Sequence, residues 1–139
     1  MWEYEFTAEA DVTPQAVWTL WGDPLGWHTW NDGVGEVELH GPFAAGTTFT
    51  MTPPGQDPIT LTLTEVVENK SFIDVAEAPG LTITTFHRIE DLGGGRTRVS
   101  YRTEITGEAA DTVGPELGPQ ICGDFPDVVG KLLALAAAG

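Results

Sequence analysis

The sequence predicts an α+β fold: a curved antiparallel sheet of seven strands wrapped around a long C-terminal helix, with two short helices after the first strand. Three observations predict it. Side chains alternate with a period of two at the N-terminus and again from Val34 to Thr106, two proline-led helix starts separate these stretches, and apolar residues recur at helical spacing from Val128 onward.

In the first strand Trp2, Tyr4 and Phe6 alternate with Glu3, Glu5 and Thr7, so the aromatic face is expected to look inward. Thr13-Pro14 supplies an N-cap and a proline at the first helical position, and Val17, Trp18, Leu20 and Trp21 form the apolar stripe of a short helix ended by Gly22. Asp23-Pro24 repeats the start signal, so Leu25 to Trp30 reads as a second short helix with Asn31-Asp32-Gly33 as its exit. Candidate strands follow at 34–40, 46–53, 59–68, 71–78, 81–90 and 96–106, divided by Gly- and Pro-rich turns short enough to require antiparallel neighbours.

Strand phase assigns the faces. Phe49 and Met51 oppose Thr48, Thr50 and Thr52, and Ile59, Leu61 and Leu63 oppose Thr60, Thr62 and Thr64. In the last hairpin Leu81, Ile83, Thr85, His87 and Ile89 point inward opposite Val99, Tyr101, Thr103 and Ile105, while Arg88, Arg98 and Arg102 point outward with Glu90 and Glu104. Between Val113 and Cys122 glycines and prolines interrupt a helical pattern that Val128, Val129, Leu132, Leu133, Leu135 and Ala136 then carry clearly. Pro126 either opens a separate last helix behind Asp124 or kinks one long helix; the kinked helix is the preferred reading. No repeat or linker divides the chain, which is expected to form one domain over residues 1–139.

Composition narrows the function classes. Twenty-one Asp and Glu against six Lys and Arg give a formal charge of -15. Such a surface repels phosphate backbones and anionic lipid, so neither nucleic acid nor a membrane is the expected partner. A single cysteine, Cys122, allows no internal disulfide and reads as a small buried hydrophobe. The N-terminus lacks a basic and apolar leader, which predicts a cytoplasmic protein. The first cation is Lys70, so carboxylates of the first half are either solvated or paired with the later arginine cluster. The charge itself reads as solubility, or else as adaptation to a cationic partner or high salt.

A sheet with one apolar face needs cover, and only the last helix is long enough to supply it. A bent sheet and one helix meet along a seam and leave an apolar space, a natural ligand site. The residues expected around it are Trp27, Trp30, Phe49, Met51, Leu63, Ile83, Thr85, Val99, Phe125 and Val129. Trp27 and Trp30 would stand near its mouth as a flat apolar wall with free N–H groups, or else simply pack a short helix on the sheet. His87, placed among apolar neighbours, is the candidate general acid or base with Tyr101 as its hydrogen-bond partner; the plainer alternative is a core histidine bonded to Tyr101 or the last helix. His28, His40 and His87 lie on different elements without ligand spacing, so no metal and no cofactor is expected.

The aromatic first strand, Thr13-Pro14-Gln15-Ala16-Val17-Trp18, the Trp27-x-x-Trp30 pair, Gly41-Pro42-Phe43 with Gly46-Thr47, Pro79-Gly80-Leu81 leading to Phe86-His87, and the glycine hairpin before Arg96-Thr97-Arg98-Val99 occur in that order. In these features the chain resembles the START-like superfamily of helix-grip proteins, in particular the polyketide cyclase/dehydrase-like group, or SRPBCC domains. The resemblance implies a domain whose hydrophobic cavity takes lipids, polyketides or other apolar small molecules. Some members are cyclases, aromatases or dehydratases and others carry ligands, and their catalytic residues vary, so no catalytic set transfers. The expected function is binding of an apolar, aromatic, polyketide-like or lipid-like molecule, with cofactor-free cyclisation or dehydration through His87. The alternatives are a carrier or sensor, or a co-chaperone-like module using an exposed face. A monomer or homodimer is expected.

Overall fold

A computed structural model describes residues 1–138. The elements run β1 (Trp2–Ala10), α1 (Pro14–Trp21), a 3-10 helix (Pro24–Thr29), β2 (Glu36–Leu39), β3 (Thr48–Thr52), β4 (Ile59–Val67), β5 (Ser71–Ala78), β6 (Leu81–Gly93), β7 (Arg96–Thr106), α2 (Ala110–Cys122) and α3 (Phe125–Ala138). All seven strands form one antiparallel sheet in the order β1-β7-β6-β5-β4-β3-β2. The predicted α+β architecture, a curved sheet against C-terminal helix with two short helices after the first strand, is the observed one.

Local chemistry explains the helix starts. Thr13 Oγ1 accepts from the Ala16 amide at 3.2 Å, Pro14 follows at the first helical position, and the Gly22 amide closes α1 on the Trp18 carbonyl. Asp23 makes no such side-chain bond, and the segment behind it winds as the tighter 3-10 form. β2 is shorter than its alternating pattern and starts only at Glu36. β6 runs past Glu90 to Gly93, where a register shift between Asp91 and Gly93 turns the chain into β7.

The C-terminal helical run differs from a single kinked helix. It is divided at Gly123-Asp124: the Gly123 amide ends α2 on the Pro119 carbonyl, and the Asp124 carbonyl accepts from Val128 to begin α3. Pro126 thus sits in a first turn, where its missing N–H is not needed. α2 stays helical through Pro115 and Pro119 because its buried positions, Gly114 and Gly118, let the backbone approach Trp2; a Cβ on Gly114 would stand 2.6 Å from that of Trp2. Packing here overrides poor intrinsic propensity.

On the inner face, pairing aligns three rungs across β5, β6, β7 and β1: Ala76–Ile83–Ile105–Trp2, Asp74–Thr85–Thr103–Tyr4, and Phe72–His87–Tyr101–Phe6. α3 covers the sheet with Val128, Val129, Leu132, Leu133 and Ala136. Tyr4 keeps 38% of its surface exposed although it touches Phe125, so the first strand's aromatic face is only partly covered. The outer face carries the arginines. Arg98 bonds Glu9 and Glu90, Arg102 bonds Glu3 and Glu104, and Arg96 bonds Asp11, so carboxylates of β1 and the turn after it meet cations of β7.

Candidate functional site

Where α2 meets α3 the helices stand off the sheet and leave a cavity of about 360 Å³. The 3-10 helix and its exit loop form one wall, β3 to β7 form the floor, and Leu117, Ile121, Phe125 and Val128 form the opposite wall. Gln56, Gln120 and Asp124 are exposed and stand at its rim.

The expected residues separate into two groups. Trp27, Trp30, Phe49, Met51, Ile83, Thr85 and Phe125 line the cavity, as do His87 and Tyr101. Leu63, Val99 and Val129 are each 0% exposed and lie in the packed core outside it. Strand phase places Leu63 and Val99 on the inner face, and helical spacing places Val129 on the covering face of α3, but there sheet and helix pack without a gap.

Trp27 and Trp30 are buried wall residues rather than a rim. The Trp27 indole N–H is also not free, since it donates to the Trp21 carbonyl at 3.0 Å. Trp27 stacks on Phe72 and meets Phe49 edge-on, geometries that ring quadrupoles favour.

His87 lies flat on Phe72, with ring centroids 3.9 Å apart and planes 6° apart. Its Nδ1 is 3.2 Å from the Phe72 carbonyl. Because a carbonyl only accepts, Nδ1 carries the proton and the neutral ring keeps its lone pair on Nε2. Burial pulls the His87 pKa down to about 3, only partly offset by that hydrogen bond. The residue expected as proton carrier is therefore held neutral near pH 7. Tyr101 meets the His87 ring edge-on at 4.7 Å, while its hydroxyl accepts a hydrogen bond from Trp21 Nε1 at 3.1 Å. Burial pushes the Tyr101 hydroxyl above the usual phenol range.

Sequence reasoning missed Asp74. It lies on the inner face of β5 between Phe72 and Ala76, lines the cavity and is only 8% exposed. Burial alone raises its pKa to about 7. The signal was present in the Phe72-x-Asp74-x-Ala76 spacing, but Ile73 and Val75 make the other face of β5 apolar as well, so alternation does not choose between them.

Other chemistries lack geometry. Cys122 is buried, outside the cavity, and its thiol is pushed up by desolvation, the opposite of an activated nucleophile. His28 and His40 bond locally to Leu25 and Thr50, and among the described residues no three His, Cys, Asp or Glu side chains converge as metal ligands. No helix among the described residues is long and apolar enough to cross a membrane.

Residues 1–135 match the family described as polyketide cyclase / dehydrase and lipid transport. Among solved structures, norcoclaurine synthase from Thalictrum flavum aligns over 99% of this chain and 87% of its own, with 16% identity and a TM-score of 0.76. The same protein in complex with dopamine and hydroxybenzaldehyde aligns over 98% of this chain and 86% of its own, with 15% identity and a TM-score of 0.75. The protein XoxI from Bacillus cereus aligns over 96% of this chain and 94% of its own, with 17% identity and a TM-score of 0.76. These structures share the fold. No curated protein matches the chain. The family match takes in every element that walls the cavity, and the chain belongs to the polyketide cyclase / dehydrase and lipid transport family, whose fold binds hydrophobic ligands.

Proposed function

We propose that this protein binds a compact, ring-containing apolar molecule in the cavity between its sheet and C-terminal helices. The observation that carries this reading is a cavity of about 360 Å³ walled by Trp27, Trp30, Phe72, Tyr101 and Phe125. That volume lies at the small end of ligand sites, which run from roughly 300 to 1,000 Å³, and suits an aromatic or polyketide-like ring system better than a long acyl chain. Flat aromatic walls favour offset stacking and edge contacts with another ring. The related structure holding dopamine and hydroxybenzaldehyde supports the same ligand size on this fold. His87 Nε2 and the Thr85 hydroxyl are polar groups suited to orienting a ligand hydroxyl. A recessed cavity with a buried His87 speaks for ligand binding over docking of a protein partner on an exposed face.

Native mass spectrometry of the purified protein, followed by a thermal-shift panel of naphthalene, anthraquinone and fatty-acid compounds, tests this reading. A ligand at 100 times its Kd stabilises the folded state by about 2.7 kcal/mol. Ring compounds are expected to raise Tm more than fatty acids, and a panel in which none binds overturns the proposal.

A second reading, cofactor-free cyclisation or dehydration in the same cavity, is favoured by one observation. Asp74 titrates at about 7, where a carboxyl can both give and take a proton near neutrality. In that reading Asp74, and not His87, moves the proton. Turnover of a poly-β-ketone substrate that survives in Asp74→Asn would count against it.

A further inference from the structure

Among the described residues Asp74 is the one carboxyl buried on the inner face of the sheet, and none of them answers it. It takes part in no salt bridge or side-chain hydrogen bond among the described residues, and desolvation is the only influence on its titration. No fully sealed, unpartnered polar side-chain atom occurs among those residues, so its oxygens reach the cavity space. Buried carboxylates are ordinarily paired with a cation or satisfied by donors, because an isolated one is costly to desolvate.

The partner cannot come from the walls. Among the described residues no Lys or Arg lines the cavity. Arg96, Arg98 and Arg102 are engaged on the outer face, Lys131 is tied to Asp32, and Lys70 and Arg88 border a separate surface groove. The ionisable groups facing the same space are His87 on β6, Tyr101 on β7 and Asp124 at the α2–α3 junction. β3, β4 and the 3-10 helix present none to it. Tyr101 and Phe125 also line this space, and the negative faces of aromatic rings attract cations.

We propose that Asp74 sets the specificity of the cavity by serving as counter-ion to a protonated amine on an aromatic ligand, so that the site prefers amines and rejects carboxylic acids of the same shape. This rests on the ligand-binding reading above and adds to it the charge class of the ligand. A carboxylic acid would bring a second anion toward Asp74 and Asp124 with no cation to receive it, whereas an ammonium group supplies the missing partner.

The test is calorimetric titration with 2-(2-naphthyl)ethylamine, 2-(2-naphthyl)ethanol and 2-naphthylacetic acid, which share one ring system and differ in the terminal group. The amine is expected to bind at least about tenfold more tightly than the alcohol, and the acid more weakly than either. Asp74→Asn should bring the amine down to the alcohol's affinity and leave the alcohol within about twofold. Since the amine needs the ionised carboxylate, its affinity should rise about tenfold from pH 6 to pH 8, as the ionised fraction of a group titrating near 7 grows from about 9% to about 91%. Equal affinities for amine and acid, an amine affinity untouched in Asp74→Asn, or an affinity that falls over this pH range would overturn the amine preference while leaving the cavity as a ligand site. Binding of none of the three probes would remove both proposals together.

Discussion

Trp21 Nε1 donates a hydrogen bond to the hydroxyl of Tyr101 across 3.1 Å, joining α1 to the middle of β7 through two buried side chains. Trp21 also meets Phe72 edge-on at 5.2 Å. A helix is thereby fixed against the two strands that carry the cavity's aromatic floor.

Tyr101→Phe removes only the hydroxyl and leaves the Trp21 N–H buried without an acceptor. An orphaned donor of this kind costs about 1–3 kcal/mol. Urea unfolding should show that loss with an unchanged m-value, and a loss below about 0.3 kcal/mol would mean that the bond contributes nothing net.

Two buried groups should oppose each other during acid titration. Asp74 titrates at about 7 when folded, above the ordinary carboxyl value, so between roughly pH 7 and 4 the folded state holds a proton that the unfolded state has lost, and stability rises as pH falls. His87 titrates at about 3 when folded, below the ordinary imidazole value, so from roughly pH 6.5 to 3 the unfolded state holds the extra proton and stability falls with pH. Each slope is at most about 1.4 kcal/mol per pH unit. Asp74→Asn should expose a loss of stability below pH 6.5, and His87→Gln a gain on going from pH 7.5 to 5. Parallel pH profiles for the two variants would contradict both assignments.

Two helical glycines should respond with opposite signs. Gly130, exposed on α3, has no atom within 4 Å of an added Cβ, so Gly130→Ala should stabilise by about 0.5–1 kcal/mol. Gly114→Ala sets a methyl 2.6 Å from the Trp2 Cβ. The overpacking cost of about 1–3 kcal/mol exceeds the helix gain and should destabilise the protein. Chemical denaturation of the pair checks the contrast.

The arginine ladder should matter little in salt. Arg98 reaches Glu9 and Glu90 on a half-exposed face. Arg98→Ala should lower Tm modestly in dilute buffer, and the difference should disappear in about 1 M NaCl, where screening acts within about 3 Å. A difference that persists would point to packing of the arginine stem.

Residues differ in how far their places can be read from the sequence. β5 to β7 follow from alternation bounded by glycine turns, and the His87–Tyr101 pairing follows from the hairpin once its turn is located. Phase fixes which face a side chain takes, but not what lies above it, which is why Leu63 and Val99 join the core while Phe49, Met51 and Ile83 meet the cavity. Asp74 was hidden because β5 is apolar on both faces. The continuity of α2 through Pro115 and Pro119 was hidden because it depends on Trp2, more than a hundred residues earlier in the chain. Charge order left the carboxylates of the first half either solvated or paired with the later arginines, and the seating of β1 beside β7 is what brings Arg96, Arg98 and Arg102 to them.

The sheet seats β1 beside β7, its most distant strand in sequence. A hairpin can form as soon as its two arms exist, but this pair joins residues as far apart as Trp2 and Ile105, and its completion must await the synthesis of β7. Until then Trp2 and Phe6 have neither their strand partner nor the helix that shelters Trp2. Such long-range closure slows folding and leaves an aromatic edge exposed while it waits. Glu3 and Glu5, set between those aromatics, place like charge on that edge during the interval, which disfavours its association with another copy.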